Sequence, residues 1–86
     1  MAKEKFECRE DARKKRAIAL LRAKLGRRVT STLDGVRVDV DGRGWVLVRP
    51  SGTEPLVRLY AEGRTEQDLA GVLREFRPMV REAVGG

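Results

Sequence analysis

Short runs of alternating apolar and polar residues, separated by residues typical of turns, fill the middle of this 86-residue chain. A period of two predicts strands that bury one face. The runs cover residues 29–33, 36–40, 45–49 and 56–61, and each gap between them contains glycine or proline. The pattern therefore predicts successive antiparallel strands joined by hairpin turns.

A helix is predicted before these strands, over residues 12–25, where apolar side chains recur with a helical period. Asp11 is the expected N-cap, and Gly26 is expected to end the helix. The apolar stripe consists of Ala17, Ile18, Leu21 and Leu25. Most of the neighbouring basic residues lie outside this stripe and are expected to face solvent, namely Arg13, Lys15, Arg16 and Arg22.

A second helix is predicted after the strands, starting at Thr65 with Asp68 three residues on, as in a variant of the capping box. A kink or break is expected near Arg77, because Pro78 lacks an amide hydrogen and crowds the preceding turn. The stripe expected to be buried consists of Leu69, Val72, Leu73, Phe76, Val80 and Val84.

Residues 5–8 alternate weakly and predict a short first strand. The complete order is then strand, helix, four strands, helix. This order predicts an α+β fold, an antiparallel sheet with two helices packed on one face. A chain of this length suits one domain over residues 1–86, with residues 1–3 and 85–86 expected to fray.

The turn at Asp34-Gly35 sets the expected register of the first central hairpin. This dipeptide favours a two-residue type I′ turn, which would pair Leu33 with Val36. Val29 would then lie opposite Val40, and the apolar residues of both strands would share one face.

Residues 49–55, with the sequence RPSGTEP, lie between two predicted strands and carry groups suited to holding an oxyanion. The groups are a guanidinium, two hydroxyls and a glycine backbone, supplied by Arg49, Ser51, Thr53 and Gly52. Arg58 adds a second guanidinium three residues after the heptad. An ordinary polar turn is the alternative, since proline, serine and glycine are common in turns.

The expected register of this second hairpin follows from a loop of residues 50–55. Arg49 would pair with Leu56, and Trp45 would face Tyr60 across the strands. Arg58 would lie opposite Leu47, diagonal to Arg49 and on the same open face of the sheet. Both guanidinium groups could then reach one anion.

The string RPSGTEP, continued as LVRLYAEG, resembles the phosphate-binding loop in the C-terminal domain of the α-D-phosphohexomutases. These are the phosphoglucomutase, phosphomannomutase and phosphoglucosamine mutase enzymes. The resemblance extends over nearly the whole chain, since residues 34–36 and 45–48 also fall where that domain has strands. The family enzymes have four domains and are several times longer, so the chain resembles a single excised domain.

The resemblance implies that the intact enzyme moves a phosphoryl group between two positions of a hexose, through a phosphoserine and a bound sugar bisphosphate. The phosphoserine and the Mg²⁺-binding loop belong to earlier domains of that family, and their motifs are absent here. This domain is therefore expected to have no catalytic residue and no cofactor of its own. Its expected partners are the other domains of the enzyme and a hexose phosphate or bisphosphate, whose non-reacting phosphate it would grip.

Carried over by motif, the expected phosphate-binding residues are Arg49, Ser51, Gly52, Thr53 and Arg58. Arg49 would act as a bidentate donor and Gly52 through its backbone N–H. Glu54 belongs to the family heptad, but its carboxylate repels phosphate, so it is expected to orient an arginine or the loop backbone. The choice of hexose is not predicted, because it resides in another domain of the family.

Other kinds of chemistry find little support in the sequence. The chain has no histidine to activate the lone Cys8, and the carboxylates Asp39 and Asp41 lack the spacing of a calcium loop. No metal site is therefore expected. The unpaired cysteine fits a reducing cytosol, and the N-terminus does not have the pattern of a signal peptide. A cytoplasmic protein without membrane contact is expected, since no run of 18 apolar residues occurs.

Two alternative functions depend on surfaces outside the loop. Residues 1–28 carry eleven Lys and Arg against four Asp and Glu, a net charge of +7, whereas the remainder carries −1. A nucleic-acid-binding module could use this basic helix or the aromatic residues Trp45 and Tyr60 on the open sheet face. Only two aromatics are available, the basic helix is expected on the other side of the sheet, and no RNP-like or helix-turn-helix pattern occurs, so the sequence disfavours a nucleic-acid partner. A purely structural domain that docks other domains on the same open face is the second alternative.

Overall fold

The computed structural model describes residues 1–85 of the chain. The order of elements within that range is strand, helix, four strands and helix, as predicted. The strands are β1 (Ala2–Glu7), β2 (Val29–Ser31), β3 (Val36–Val40), β4 (Gly44–Pro50) and β5 (Leu56–Gly63). The helices are α1 (Asp11–Leu25) and α2 (Glu66–Gly85), and a 3₁₀ turn (Gly26–Arg28) follows α1.

The five strands form one antiparallel sheet in the order β1-β5-β4-β3-β2. Both helices pack on the same face of this sheet and against each other. The predicted α+β class and the one-sided arrangement of helices are therefore confirmed. The other face of the sheet is open, and it is called the open face below.

The core lies between the sheet and the two helices. Alternate strand residues point into it, because side chains on a strand alternate between faces. The buried strand residues are Phe6, Val36, Val38, Val40, Val46, Val48, Val57, Leu59 and Ala61. The buried apolar helix residues are Ala17, Leu21, Leu25, Val72, Leu73, Phe76, Val80 and Ala83, and three further members of the predicted stripes, Ile18, Leu69 and Val84, are partly buried. The predicted stripes are thus confirmed, with Ala83 as an addition.

The predicted type I′ hairpin at Asp34-Gly35 is wrong. Val29 pairs with Val38 and not with Val40, and the ladder is irregular after Val29. A type I′ turn needs positive φ at both central residues, but Asp34 has none. Gly35 is needed for another reason: a Cβ there would lie 2.2 Å from the carbonyl oxygen of Val48. The glycine therefore serves a close approach to β4, which a local turn pattern does not reveal.

Two of the three residues that were predicted to cap or end the helices do so in the structure. The Thr65 hydroxyl accepts a hydrogen bond of 3.0 Å from the Asp68 N–H, which confirms the cap of α2. Gly26, at φ 54°, ends α1 as predicted. Asp11 is not the N-cap, because Glu10 occupies that position without a side-chain cap bond. The Asp11 carboxylate instead lies in the first turn of α1, where it pairs with a lysine.

A break near Arg77 is wrong, because α2 continues through Pro78. The kink that was expected as the other alternative stays a prediction. Pro78 is exposed, whereas Phe76 and Val80 on either side of it are buried against the sheet. The packing of both halves therefore holds the helix together. The Arg74 carbonyl, which loses its intrahelical donor to the proline, belongs to an exposed residue, where water can replace that donor.

Replacing Pro78 with alanine is expected to raise the free energy of unfolding by about 1–3 kcal/mol, because it restores an intrahelical hydrogen bond. Urea denaturation of the chain measures this change. Arg81→Ala, at another exposed position of α2, is the control and is expected to change stability by less than about 0.5 kcal/mol. Unchanged stability of the Pro78 variant would contradict the prediction.

The first strand, β1, is one edge of the sheet and pairs with β5. It begins three residues earlier than predicted and ends before Cys8, which is buried. Glu4 forms an ion pair with Arg77 of α2, which raises the pKa of the arginine and fastens the strand to that helix. Fraying at the termini stays a prediction, and Gly86 lies outside the described residues. Neither α1 nor α2 is long and apolar enough to cross a membrane.

Candidate anion-binding site

The heptad forms the connection between β4 and β5, as predicted, but the register of the hairpin differs from the prediction by two residues. Arg49 pairs with Arg58 and Pro50 with Val57. The Ser51 N–H extends the ladder by donating to the Leu56 carbonyl at 3.0 Å. The predicted pairs of Arg49 with Leu56, Leu47 with Arg58 and Trp45 with Tyr60 are therefore wrong.

The physical reason for this error lies in Pro50. In an antiparallel ladder, residue pairs that hydrogen-bond to each other alternate with pairs that do not. The pair next to a hydrogen-bonded pair therefore forms no backbone hydrogen bond between its own two residues. Since Ser51 bonds to β5, the Pro50 nitrogen faces the other way, past the end of β3. Its missing N–H costs no ladder bond, and the strand continues into the heptad.

Both predicted arginines lie on the open face, because a shift of two residues preserves the face of every side chain. Arg49 is exposed and Arg58 is half-buried, and they are directly opposite each other rather than diagonal. Lys5 of β1 lies opposite Arg58 on its other side. These three residues, called the cationic row below, place three like charges side by side, an arrangement that destabilises a sheet unless anions compensate it.

Glu54 compensates one member of the cationic row. Its carboxylate accepts a hydrogen bond from the Arg58 guanidinium. Of the two expected partners of Glu54, an arginine or the loop backbone, its carboxylate therefore contacts the arginine, and its orienting role stays a prediction. Arg49 pairs with no carboxylate among residues 1–85. Its guanidinium is therefore available to a ligand, as is the ammonium of Lys5, which is also exposed and makes no ion pair within residues 1–85.

Ser51 shapes the tip of the loop. Its hydroxyl oxygen accepts hydrogen bonds from the N–H groups of Glu54 at 3.0 Å and Thr53 at 3.4 Å. The hydroxyl hydrogen remains able to donate to another group. Thr53 is exposed at the tip. The two hydroxyls and Arg49 thus lie within one short stretch of chain.

Gly52 does not supply the unusual backbone conformation that its residue type suggests. Its φ is not positive, and a Cβ at this position would meet nothing within 4 Å. Its N–H has no acceptor within the part of the chain that the structure describes. The absence of a side chain therefore leaves an unobstructed amide donor at the tip.

Lys14 of α1 is the residue of this site that the sequence reasoning missed. Its side chain is 7% exposed, and its ammonium donates to the carbonyl oxygens of Ser51 at 3.0 Å and Glu54 at 2.7 Å. The Asp11 carboxylate lies 3.2 Å away. The helical spacing indicates this position, because Lys14 precedes Leu21 by seven residues, or two turns, and so lies on the buried face of α1. It was hidden within a run of basic residues that are otherwise exposed.

The aromatic residues of the open face are not arranged as a pair. Trp45 lies opposite Glu62, to which its indole N–H donates at 3.3 Å, and Arg37 covers its ring at 4.7 Å from the centroid. Arg37 also donates to Asp39, which holds the pKa of that carboxyl below its ordinary value. This covered ring, flanked by carboxylates, offers a poor platform for stacking a base.

The basic side chains of α1 belong to a different surface. Its exposed face carries Arg13, Lys15, Arg16 and Arg22, as predicted. Since α1 packs on the face of the sheet opposite to the open face, these side chains do not join the cationic row.

Comparison with known proteins adds to this geometry. Residues 3–79 match the family model described as phosphoglucomutase/phosphomannomutase, C-terminal domain. The chain belongs to this family. The match begins in β1 and includes the cationic row, Lys14 and the whole heptad, so the candidate site lies entirely within the family domain.

Three relatives similar to this chain are all named phosphoglucosamine mutase or probable phosphoglucosamine mutase. The phosphoglucosamine mutase of Methanocaldococcus jannaschii is 34% identical over 84 residues, which are 95% of this chain and 18% of the relative. The probable phosphoglucosamine mutase of Methanopyrus kandleri is 53% identical over 53 residues, or 62% of this chain and 12% of the relative. The phosphoglucosamine mutase of Staphylococcus aureus is 39% identical over 57 residues, or 66% and 13%. The chain thus spans less than a fifth of the length of these relatives.

Proposed function

We propose that this domain binds the non-transferred phosphate of a hexose phosphate, and so positions the sugar for phosphoryl transfer in a larger phosphohexomutase. The observation that carries the proposal is an unpaired guanidinium at the end of β4, followed three residues later by a free amide at the tip of the loop. Arg49 supplies the first and Gly52 the second. Both are the donors that phosphate oxygens prefer.

Electrostatics support the same ligand. The cationic row places Lys5, Arg58 and Arg49 opposite one another, with only Glu54 as a carboxylate partner. A dianionic phosphate would relieve the remaining repulsion, whereas a neutral ligand would not. The hydroxyls of Ser51 and Thr53 would complete the set of donors around the phosphate.

The contribution of the domain to the reaction would be positional. In the enzymes that the chain resembles, the phosphoserine and Mg²⁺ belong to other domains, and Mg²⁺ supplies charge neutralisation at the transferred phosphoryl group. Gripping the distant phosphate fixes which hydroxyl of the sugar faces the phosphoserine. Binding energy at a remote group is used in this way to align the reacting one.

The names of the relatives favour glucosamine phosphate as the sugar of the intact enzyme. A loop that contacts only the phosphate would not select the sugar itself. The isolated domain should therefore bind glucosamine 6-phosphate and glucose 6-phosphate with affinities that agree within about threefold, less than 1 kcal/mol.

The isolated domain is expected to bind inorganic phosphate with millimolar affinity, since charge-assisted bonds at a partly exposed site contribute about 1.5–3 kcal/mol each before ordering and screening costs. NMR titration of the chain at constant ionic strength measures this binding. The largest amide shifts are expected at residues 51–54. Shifts centred on residues 13–22 would contradict the proposal and favour a ligand of the basic helix face.

A further inference from the structure

Lys14 joins α1 to the candidate loop. Its ammonium has three partners, the carbonyls of Ser51 and Glu54 and the carboxylate of Asp11. A buried ammonium is costly unless it is paired in this way. The two carbonyls stand at the two ends of the loop tip, so one side chain fixes both ends to the helix.

The bond to the Ser51 carbonyl has a consequence for the next amide. The peptide between Ser51 and Gly52 is trans, so its C=O and N–H point in opposite directions in one plane. Because the carbonyl points towards Lys14, the Gly52 N–H must point away from α1. That N–H has no acceptor among residues 1–85. The bond from Lys14 therefore holds this peptide in the orientation that directs the free amide away from α1.

We propose that Lys14 is a positioning residue for phosphate, one that aims the Gly52 amide at the ligand. This inference rests on the proposed function, because it assigns a role towards the phosphate bound by the loop. The neighbouring Asp11 carboxylate offsets the charge of Lys14, so its effect on the ligand is through the orientation of the loop rather than through attraction. A lysine that only stabilised the fold would act on unfolding and leave the affinity of the folded chain unchanged.

The test compares Lys14→Met with Lys15→Met by NMR titration with inorganic phosphate at constant ionic strength. Both variants remove one positive charge from adjacent positions of α1, but Lys15 is exposed and makes no ion pair among the described residues. Lys14→Met is expected to weaken phosphate binding about tenfold, the value of one hydrogen bond to a charged group. Lys15→Met is expected to change it less than about twofold.

Two outcomes separate this inference from the proposed function. If the wild-type chain shows no phosphate-dependent shifts at residues 51–54, the proposed function fails. If the wild-type chain binds phosphate and the two methionine variants bind it equally well, the role of Lys14 is overturned. Urea denaturation of each variant, measured separately, identifies a loss of stability that leaves affinity unchanged, which would also overturn it.

A measurement on the wild-type chain keeps the inference testable even if Lys14→Met does not fold. The Gly52 amide is expected to show the largest proton shift on phosphate addition, because it points at the ligand. A titration in which residues around Gly52 respond and the Gly52 amide does not would overturn the inference.

Discussion

Arg49→Ala is expected to lower kcat/KM of the intact enzyme by at least about a hundredfold, while leaving the domain folded. The guanidinium can donate two charge-assisted bonds of about 1.5–3 kcal/mol each, and about 1.4 kcal/mol corresponds to a factor of ten in rate. The loss is expected in kcat as well as KM, because a loosely held phosphate misaligns the sugar. Arg49 is exposed at the end of β4, so its removal leaves the core intact. Steady-state kinetics with the hexose phosphate measure the effect.

The control for Arg49→Ala is the simultaneous replacement of Arg13, Lys15 and Arg16 by alanine. This variant removes three cations from the exposed face of α1, none of which makes an ion pair or a side-chain hydrogen bond among residues 1–85, and is expected to retain nearly full activity. Loss of activity in the triple variant together with full activity of Arg49→Ala would show that the functional surface is the helix and not the loop.

Gly44→Ala is expected to lower the free energy of unfolding by about 2–4 kcal/mol. Gly44 has φ 150° and lies opposite Gly63, where β4 begins and β5 ends. A Cβ at position 44 would lie 1.9 Å from the carbonyl oxygen of Glu62, which belongs to the backbone and cannot rotate away. The strands would have to separate next to Trp45. Urea denaturation measures the change, which is a large fraction of the stability of an ordinary small domain.

Gly71→Ala is the matched control, because it makes the same chemical change in an unobstructed place. The nearest heavy atom to a Cβ at position 71 is a flexible Arg43 nitrogen at 3.8 Å. Since alanine favours a helix interior over glycine, this variant is expected to gain about 0.5–1 kcal/mol. Equal stability of the two alanine variants would contradict the close approach of β4 and β5.

Features encoded by local periodicity could be predicted from the sequence. The stripe through Leu21 and the stripe through Phe76 were found because each helix buries one side. The sequence also predicted correctly that Arg49 and Arg58 lie on the open face. The predicted strand register was wrong by two residues, but a shift of two residues leaves each side chain on the same face of the sheet. The candidate loop was identified from residue types alone, and its binding role stays a prediction.

Features that depend on contacts distant in sequence could not be predicted in the same way. The position of β1 follows from its pairing with β5, whose residues lie 49 to 59 positions later in the chain. The same pairing places Lys5 in the cationic row. Gly35 looked like a turn residue, but its role is set by β4. The burial of Lys14 could not be predicted for a different reason. A charged residue is expected to stay out of the core unless its buried partners are known.

Because of the cationic row, the stability of this domain is expected to depend on the anions in solution. Lys5, Arg58 and Arg49 repel one another in the free chain, and a bound anion removes that repulsion only while the sheet is folded. By mass action, each increase in the concentration of such an anion shifts the folding equilibrium towards the native state. The melting temperature in a phosphate buffer is therefore expected to exceed the value in a chloride buffer of the same ionic strength.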